Sequence, residues 1–303
     1  MGQAANAPIA WVESPLQLVA AAEWATTQDE PIVVALRITG PQMSGTAEEL
    51  LSRGARFARC VPYFGIPWQL LSQHRKWAVG DGFSGQFRLA GTLITPRALT
   101  LLDDGAQTLA VADALLGRSP YARPGLHESS AATLLGSLIR DRMLGMAARE
   151  LLEITTAFNL GAERLAALAD RGIRATRHRL EWIRQTARPI AVPGNRILLG
   201  SALPIDGRIP FDRYLRWVAD EARESPLAYL PHRRETAKTM GAVRELPGVR
   251  VYETGLPVEL VLAGTQEPLE VLTLPTSAET TLALVLDGTG STIHTRSLVR
   301  SGR

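Results

Sequence analysis

Three groupings in this sequence have the residue types that group transfer needs: a pair of carboxylates, a histidine followed by arginines, and small hydroxyl residues after apolar runs. Asp103 and Asp104 stand side by side before Gly105, directly after the apolar run 99–102. Adjacent carboxylates repel, so a protein either leaves such a pair in water or uses it for proton chemistry. The plain alternative is an acidic turn. His232 follows the apolar run 227–230 and Pro231, and precedes Arg233 and Arg234. An imidazole beside arginines at a helix start suits a phosphate, which it can contact and protonate as it leaves. The plain alternative is a helix-capping histidine. His74, His127, His178 and His294 have no comparable setting and read as surface or structural.

Other polar residues fall at the same kind of position. Ser14 stands before Pro15, the pairing of an N-cap with a first-turn proline. Asp81 sits in Gly80-Asp81-Gly82 after 77–79, and Thr276 and Ser277 follow 269–274. Capping explains Ser14 and Asp81 as well as ligand binding does. Glu259, after Leu256-Pro257-Val258, is either a solvated glutamate at a helix start or an acceptor for ribose hydroxyls. No phosphate-binding G-x-x-x-x-G-K-[ST] loop, G-x-S-x-G elbow or H-E-x-x-H pair occurs.

The elements that must position these residues alternate in type. Strands are expected at 9–12, 31–38, 77–79, 99–102, 196–200, 227–230, 249–252 and 269–274. Helices are expected after Ser14-Pro15, around 48–51, at 107–116, 129–153, 211–223 and 233–246, and after Ser277. Strands separated by helices predict parallel sheets with right-handed crossovers, which bind ligands at the strands' carboxyl ends. The proline- and glycine-bearing stretch 189–194 is the expected linker, dividing the chain into 1–188 and 189–303. The fold class is α/β, with two Rossmann-like halves. No internal repeat is visible in the sequence.

With 303 residues, 46% of them hydrophobic and 21% charged, there is material for two cores of ordinary size. No apolar run approaches the roughly 18 residues of a membrane span, and residues 1–10 lack the features of a signal peptide. Cys60 is the only cysteine, which excludes an internal disulfide and a cysteine-based zinc cluster; a reducing cytoplasm is the expected compartment. The net charge of +3 is uneven, because arginines crowd 171–188. They read first as a solvated helix face, and secondly as a surface for an anionic acceptor or the inner membrane leaflet. Nucleic acid is not expected as a partner, since no aromatic residues alternate with these arginines.

Taken in order, several segments resemble bacterial sialyltransferases and polysialyltransferases of the GT-B type. They are 12–17, with Ser14 and Gln17; Gly80-Asp81; Leu102-Asp103-Asp104-Gly105; 229–235, with Pro231, His232 and Arg233; 256–259, with Glu259; and Thr276-Ser277-Ala278. The resemblance spans Trp11 to about Leu286. It implies a GT-B architecture of two Rossmann-like domains facing a central cleft, acceptor side first and CMP-donor side second. It implies Asp104 as general base, with Asp103 the second choice, and His232 as acid and phosphate contact. Glu259 would contact ribose, and Thr276 and Ser277 would contact phosphate. Gly105, and Gly200 at the end of the strand 196–200, would join the substrate contacts.

The donor implied is CMP-sialic acid or a related nonulosonic acid, the acceptor a glycan hydroxyl. Transfer would be a single inverting displacement with no cofactor and no metal. The sequence departs from the family where Arg233 follows His232, a position often held by proline. Two alternatives remain: a GT-B transferase using CMP-Kdo or a UDP-sugar, and an inactive nucleotide-binding protein.

Overall fold

The computed structural model describes residues 7–38 and 40–298. The chain divides into two compact units, Met1–Thr186 and Ala187–Arg303. Each is an α/β unit built on a parallel sheet, with the Rossmann-like strand order in which the first strand is central.

In the first unit the strands are β1 (Ile9–Val12), β2 (Ile32–Arg37), β3 (Phe57–Tyr63), β4 (Lys76–Val79), β5 (Ala98–Leu101), β6 (Leu152–Thr156) and β7 (Ile173–Arg177). Their order across the sheet is β3-β2-β1-β4-β5-β6-β7, every neighbouring pair parallel. All four residues of β1 are buried, which is why Ile-Ala-Trp-Val carries no polar residue. Trp11 packs edge-on against Tyr63 and Phe87, and its indole N–H donates to the Tyr63 hydroxyl. Burying each such aromatic contributes about 1.5–3 kcal/mol, and together they fix the centre of the sheet from which the site loops emerge.

In the second unit the strands are β8 (Arg196–Leu199), β9 (Leu227–Leu230), β10 (Val249–Val251), β11 (Glu270–Thr273) and β12 (Thr292–Thr295), in the order β10-β9-β8-β11-β12. Its core gathers Tyr214, Trp217 and Val218 from the helix Phe211–Glu224 against Leu198, Leu227 and Tyr229. Among the described residues, no helix is long and apolar enough to cross a membrane.

Three expectations need correction. The helical stretch 129–153 is a helix only over Ser130–Ala147; a turn with Glu150 at φ 56° ends it and β6 begins at Leu152. The arginine-rich stretch is not a helix face. Arg174 and Arg177 lie on β7, and only the short helix Glu181–Gln185 follows. Its charges are largely spoken for: Arg174 pairs with Glu153, while Arg171 and Arg177 donate to the carbonyls of Leu115 and Ala157. The helix expected from Arg233 begins only at Ala237, with Thr236 as its N-cap.

Candidate functional site

In the first sheet, connections run one way from β1 towards β2 and the other way from β4 towards β5. The carboxyl ends of β1 and β4 are therefore the switch point at which open parallel sheets receive ligands. Ser14 and Gln17 follow β1, Gly80 and Asp81 follow β4, and Asp103, Asp104 and Gly105 follow β5. Ser14 caps the helix Pro15–Ala25, accepting from the Gln17 backbone N–H at 3.3 Å. Buried Gln17 reaches across the strand ends. Its Oε1 accepts from the Glu13 N–H at 2.7 Å, which orients the amide so that Nε2 donates to Asp104 Oδ1, also at 2.7 Å. Gly80 makes room for this bridge, because a Cβ there would lie 2.4 Å from Gln17 Oε1.

The two aspartates are treated differently. Asp103 is 1% exposed. Its Oδ1 accepts from the hydroxyls of Thr156 and Thr108, and its Oδ2 from the Ala157 N–H at 2.5 Å and His178 Nε2 at 3.1 Å. Both oxygens are thus consumed in tying β5 to β6 and to the residue after β7. Asp104 is half-buried and lines a narrow cleft with Asp81, Gln107 and Thr108. Its backbone N–H donates to Thr108 Oγ1, and Gly105 at φ 65° makes the turn that presents it. Asp81 accepts from the Phe83 N–H at 2.9 Å and pairs with Arg123, whose other nitrogen holds Gln107. It closes a turn and an ion pair rather than capping a helix.

In the second sheet the switch point lies between β8 and β11. Gly200 follows β8, Pro231 and His232 follow β9, and Thr276 and Ser277 follow β11. A Cβ on Gly200 would lie 2.2 Å from Glu235 Oε1 and 2.4 Å from the His232 nitrogen. Gly200 is therefore needed for the close approach of the 231–235 loop. That loop folds on Glu235, which accepts from the His232 N–H at 3.1 Å and from the Tyr229 hydroxyl at 2.8 Å. His232 Nδ1 accepts from the Arg234 N–H at 3.2 Å, so a neutral ring carries its proton on Nε2.

Burial, followed by the charges of Arg233 and Arg234, pushes the His232 imidazole down to about 4. Burial also raises the Glu235 carboxyl. Because the helix starts at Ala237, its N-terminus does not begin at His232 or Arg233; Arg233 is an exposed loop residue and Arg234 pairs with Asp206.

Glu259 is not a solvated helix-start residue. It is 4% exposed, accepts from the Thr281 hydroxyl at 2.6 Å, and has its carboxyl raised by burial. Thr281 lies one turn beyond Ser277, which occupies the N-cap position of the helix Ala278–Val285 without a side-chain capping bond. Exposed Thr276 accepts from the Ala278 N–H.

Two partners were given no role from the sequence: His178, read as surface or structural, which contacts Asp103, and Glu235, within the segment 229–235, which shapes the His232 loop. His178 is the first residue after β7, so strand-end logic would have found it had β7 been recognised. Glu235 was hidden inside an expected helix. No group of three or more His, Cys, Asp or Glu side chains among the described residues is placed to hold a metal ion.

Fold and site together define a protein of two Rossmann-like α/β units, each gathering polar residues at the carboxyl ends of its strands. No family model and no curated protein matches the sequence. Among solved structures the chain is similar to the spinosyn rhamnosyltransferase SpnG, with 14% identity and a TM-score of 0.39, over 95% of this chain and 79% of that one.

Proposed function

We propose that the chain is an inverting glycosyltransferase that moves sialic acid, or a related nonulosonic acid, from its CMP donor to a glycan hydroxyl. The observation that carries this reading is the division of labour between the paired aspartates. Asp103 spends both oxygens inside the fold, whereas Asp104 is aimed by Gln17 and lines a cleft at a strand switch point. In this reading Asp104 takes the proton of the acceptor hydroxyl. The acceptor oxygen then bonds to the anomeric carbon as the bond to the CMP phosphate oxygen breaks, with inversion.

His232 offers Nε2–H to the phosphate. In the free protein its ring is neutral at physiological pH. A bound phosphate would offset the cost of a buried imidazolium, so the ring would take up a proton with the donor and pass it to the leaving oxygen. Glu259 would accept from ribose hydroxyls, and Thr276 and Ser277 would hydrogen-bond phosphate oxygens.

Incubating the protein with CMP-sialic acid and a panel of glycan acceptors, read by mass spectrometry, tests the reaction. Transfer of one nonulosonic acid mass is expected. Melting curves with CMP, CTP and UDP test the donor, since a ligand that binds only the folded state raises the midpoint. A shift with UDP alone would replace CMP-sialic acid by a UDP-sugar.

A further inference from the structure

Parallel sheets are ordinarily covered on both faces, and their strands then read as near-continuous apolar runs. β5, β6 and β7 do not. Leu99, Leu101, Leu152, Ile154 and Ile173 belong to the core of the first unit. Between them stand Thr100, Glu153, Thr155, Arg174 and Thr176, which line a pocket on the opposite face. The register sets Thr100 beside Glu153 and Glu153 beside Arg174, with Thr155 beside Thr176. Two polar rows therefore cross the strands. They floor a pocket of about 840 Å3, within the size range of small-ligand sites, and Trp24 and Trp182 stand in its wall.

Arg174 and the Thr176 hydroxyl both donate to the Glu153 carboxylate. The hydroxyls of Thr100 and Thr155, on buried residues, have no hydrogen-bond partner among the described residues. The lining charges nearly cancel: Lys76, Arg174 and Arg177 stand with four carboxylates, one of which, Glu23, is held towards its neutral form by burial. An apolar helix laid on this floor would bury charge and hydroxyls without partners. A strongly charged ligand would find no net field. Free hydroxyls, a satisfied polar ladder and indole rings suit a molecule with many hydroxyls and apolar ring faces.

We propose that this pocket binds a neutral oligosaccharide. Maltotriose and chitotriose are the probes, titrated into the whole protein by calorimetry and by heteronuclear NMR. Saturable binding of at least one is expected, with the Trp182 indole N–H signal moving along the titration. The double variant Thr100→Val/Thr155→Val should weaken that binding about fivefold to tenfold, the loss expected for hydrogen bonds of ordinary strength. The indole signal is read in the unmodified protein, so it decides the matter even where the variant fails to fold. No saturable binding of either probe, an unmoved indole signal, or unchanged affinity in a folded variant would overturn the assignment. Binding alone is measured, so the outcome stands apart from whether the protein transfers a sugar.

Discussion

After β5, two carboxylates are placed by hydrogen bonds from neighbouring groups; after β9, an imidazole and a carboxylate are placed where burial has shifted both away from charge. The sheets share a strand order, and both polar clusters use carboxyl ends at or beside a switch point. The first unit fixes direction: Gln17 aims Asp104, and Thr156, Ala157 and His178 immobilise Asp103. The second unit stores unformed charge. Its histidine is held neutral by burial beside two arginines, and in the proposed reaction an arriving phosphate would draw the imidazolium out. A hydroxyl has to be deprotonated along one direction, whereas a phosphate can be met by a site whose charge appears only on binding. In the proposed reaction the first arrangement would serve the acceptor and the second the donor.

The sharpest way to break this contrast is Asp104→Ala. Transfer should fall by about two to four orders of magnitude, the usual contribution of a general base, while CMP raises the melting midpoint as before. Undiminished turnover in the purified variant would remove Asp104 from the mechanism. Next in size is His232→Gln, which should slow transfer by about a hundredfold or more. It should also abolish a proton uptake. The free ring sits at about 4, and a bound phosphate raises it, so at pH 5 to 6 the complex carries more protons than its parts. CMP affinity should therefore strengthen as pH falls from 7 towards 5. Calorimetry in two buffers of different ionisation enthalpy reads the uptake, and the difference from His232→Gln separates the ring from titration of the phosphate itself. Equal uptake in both proteins would return His232 to a structural role.

How much of this was legible in the sequence depended on how local the signal was. Ser14-Pro15 contains its whole instruction, a cap and a fixed φ, and the helix begins where those residues place it. The buried strands β1 and β9 show as unbroken apolar runs, and β8 as a short one opened by Arg196. Arg233-Arg234-Glu235 misled, because all three are good helix formers. Tertiary contacts claim them first: Glu235 turns back to Tyr229 and the His232 N–H, and Thr236 caps the helix after them. β6 and β7 were hidden because their alternating polar residues lack the apolar run of a doubly covered strand. With β7 unseen, His178 could not be placed beside Asp103, 75 residues away in sequence.

Two variants sharpen the comparison through stability. In Gly200→Ala the new methyl meets the His232 nitrogen, which is backbone and cannot simply rotate away. Overpacking of this kind costs about 1–3 kcal/mol, so a lower melting midpoint and weaker CMP binding should appear together. Asp103→Ala leaves the Ala157 N–H and its companions without an acceptor, at a cost of about 1–3 kcal/mol. Its main effect should be a lower midpoint, unlike Asp104→Ala, whose main effect is on rate. Matching midpoints for the two aspartate variants would erase the division of labour between them.

The smallest expected effect is at Glu259. Burial raises its carboxyl in the folded protein, so the folded state holds a proton there more tightly than the unfolded chain does. The sign follows from linkage: this group's contribution to stability is complete below the unfolded pKa and is lost as pH rises through the folded one. Glu259→Gln has the same shape, keeps an oxygen to accept from Thr281, and has nothing to ionise. It should be slightly more stable than the parent at pH 7 to 8, by a fraction of a kcal/mol up to about 1. Towards pH 4 the gap should close, because the parent is then protonated as well. If Glu259 also accepts from ribose, the stabilised variant should bind CMP more weakly than the parent while binding inorganic phosphate equally well. Melting curves across pH, with and without each ligand, separate the two effects. A variant less stable at neutral pH would mean that the parent's negative charge is favourable in the fold, and the second unit would then resemble the first.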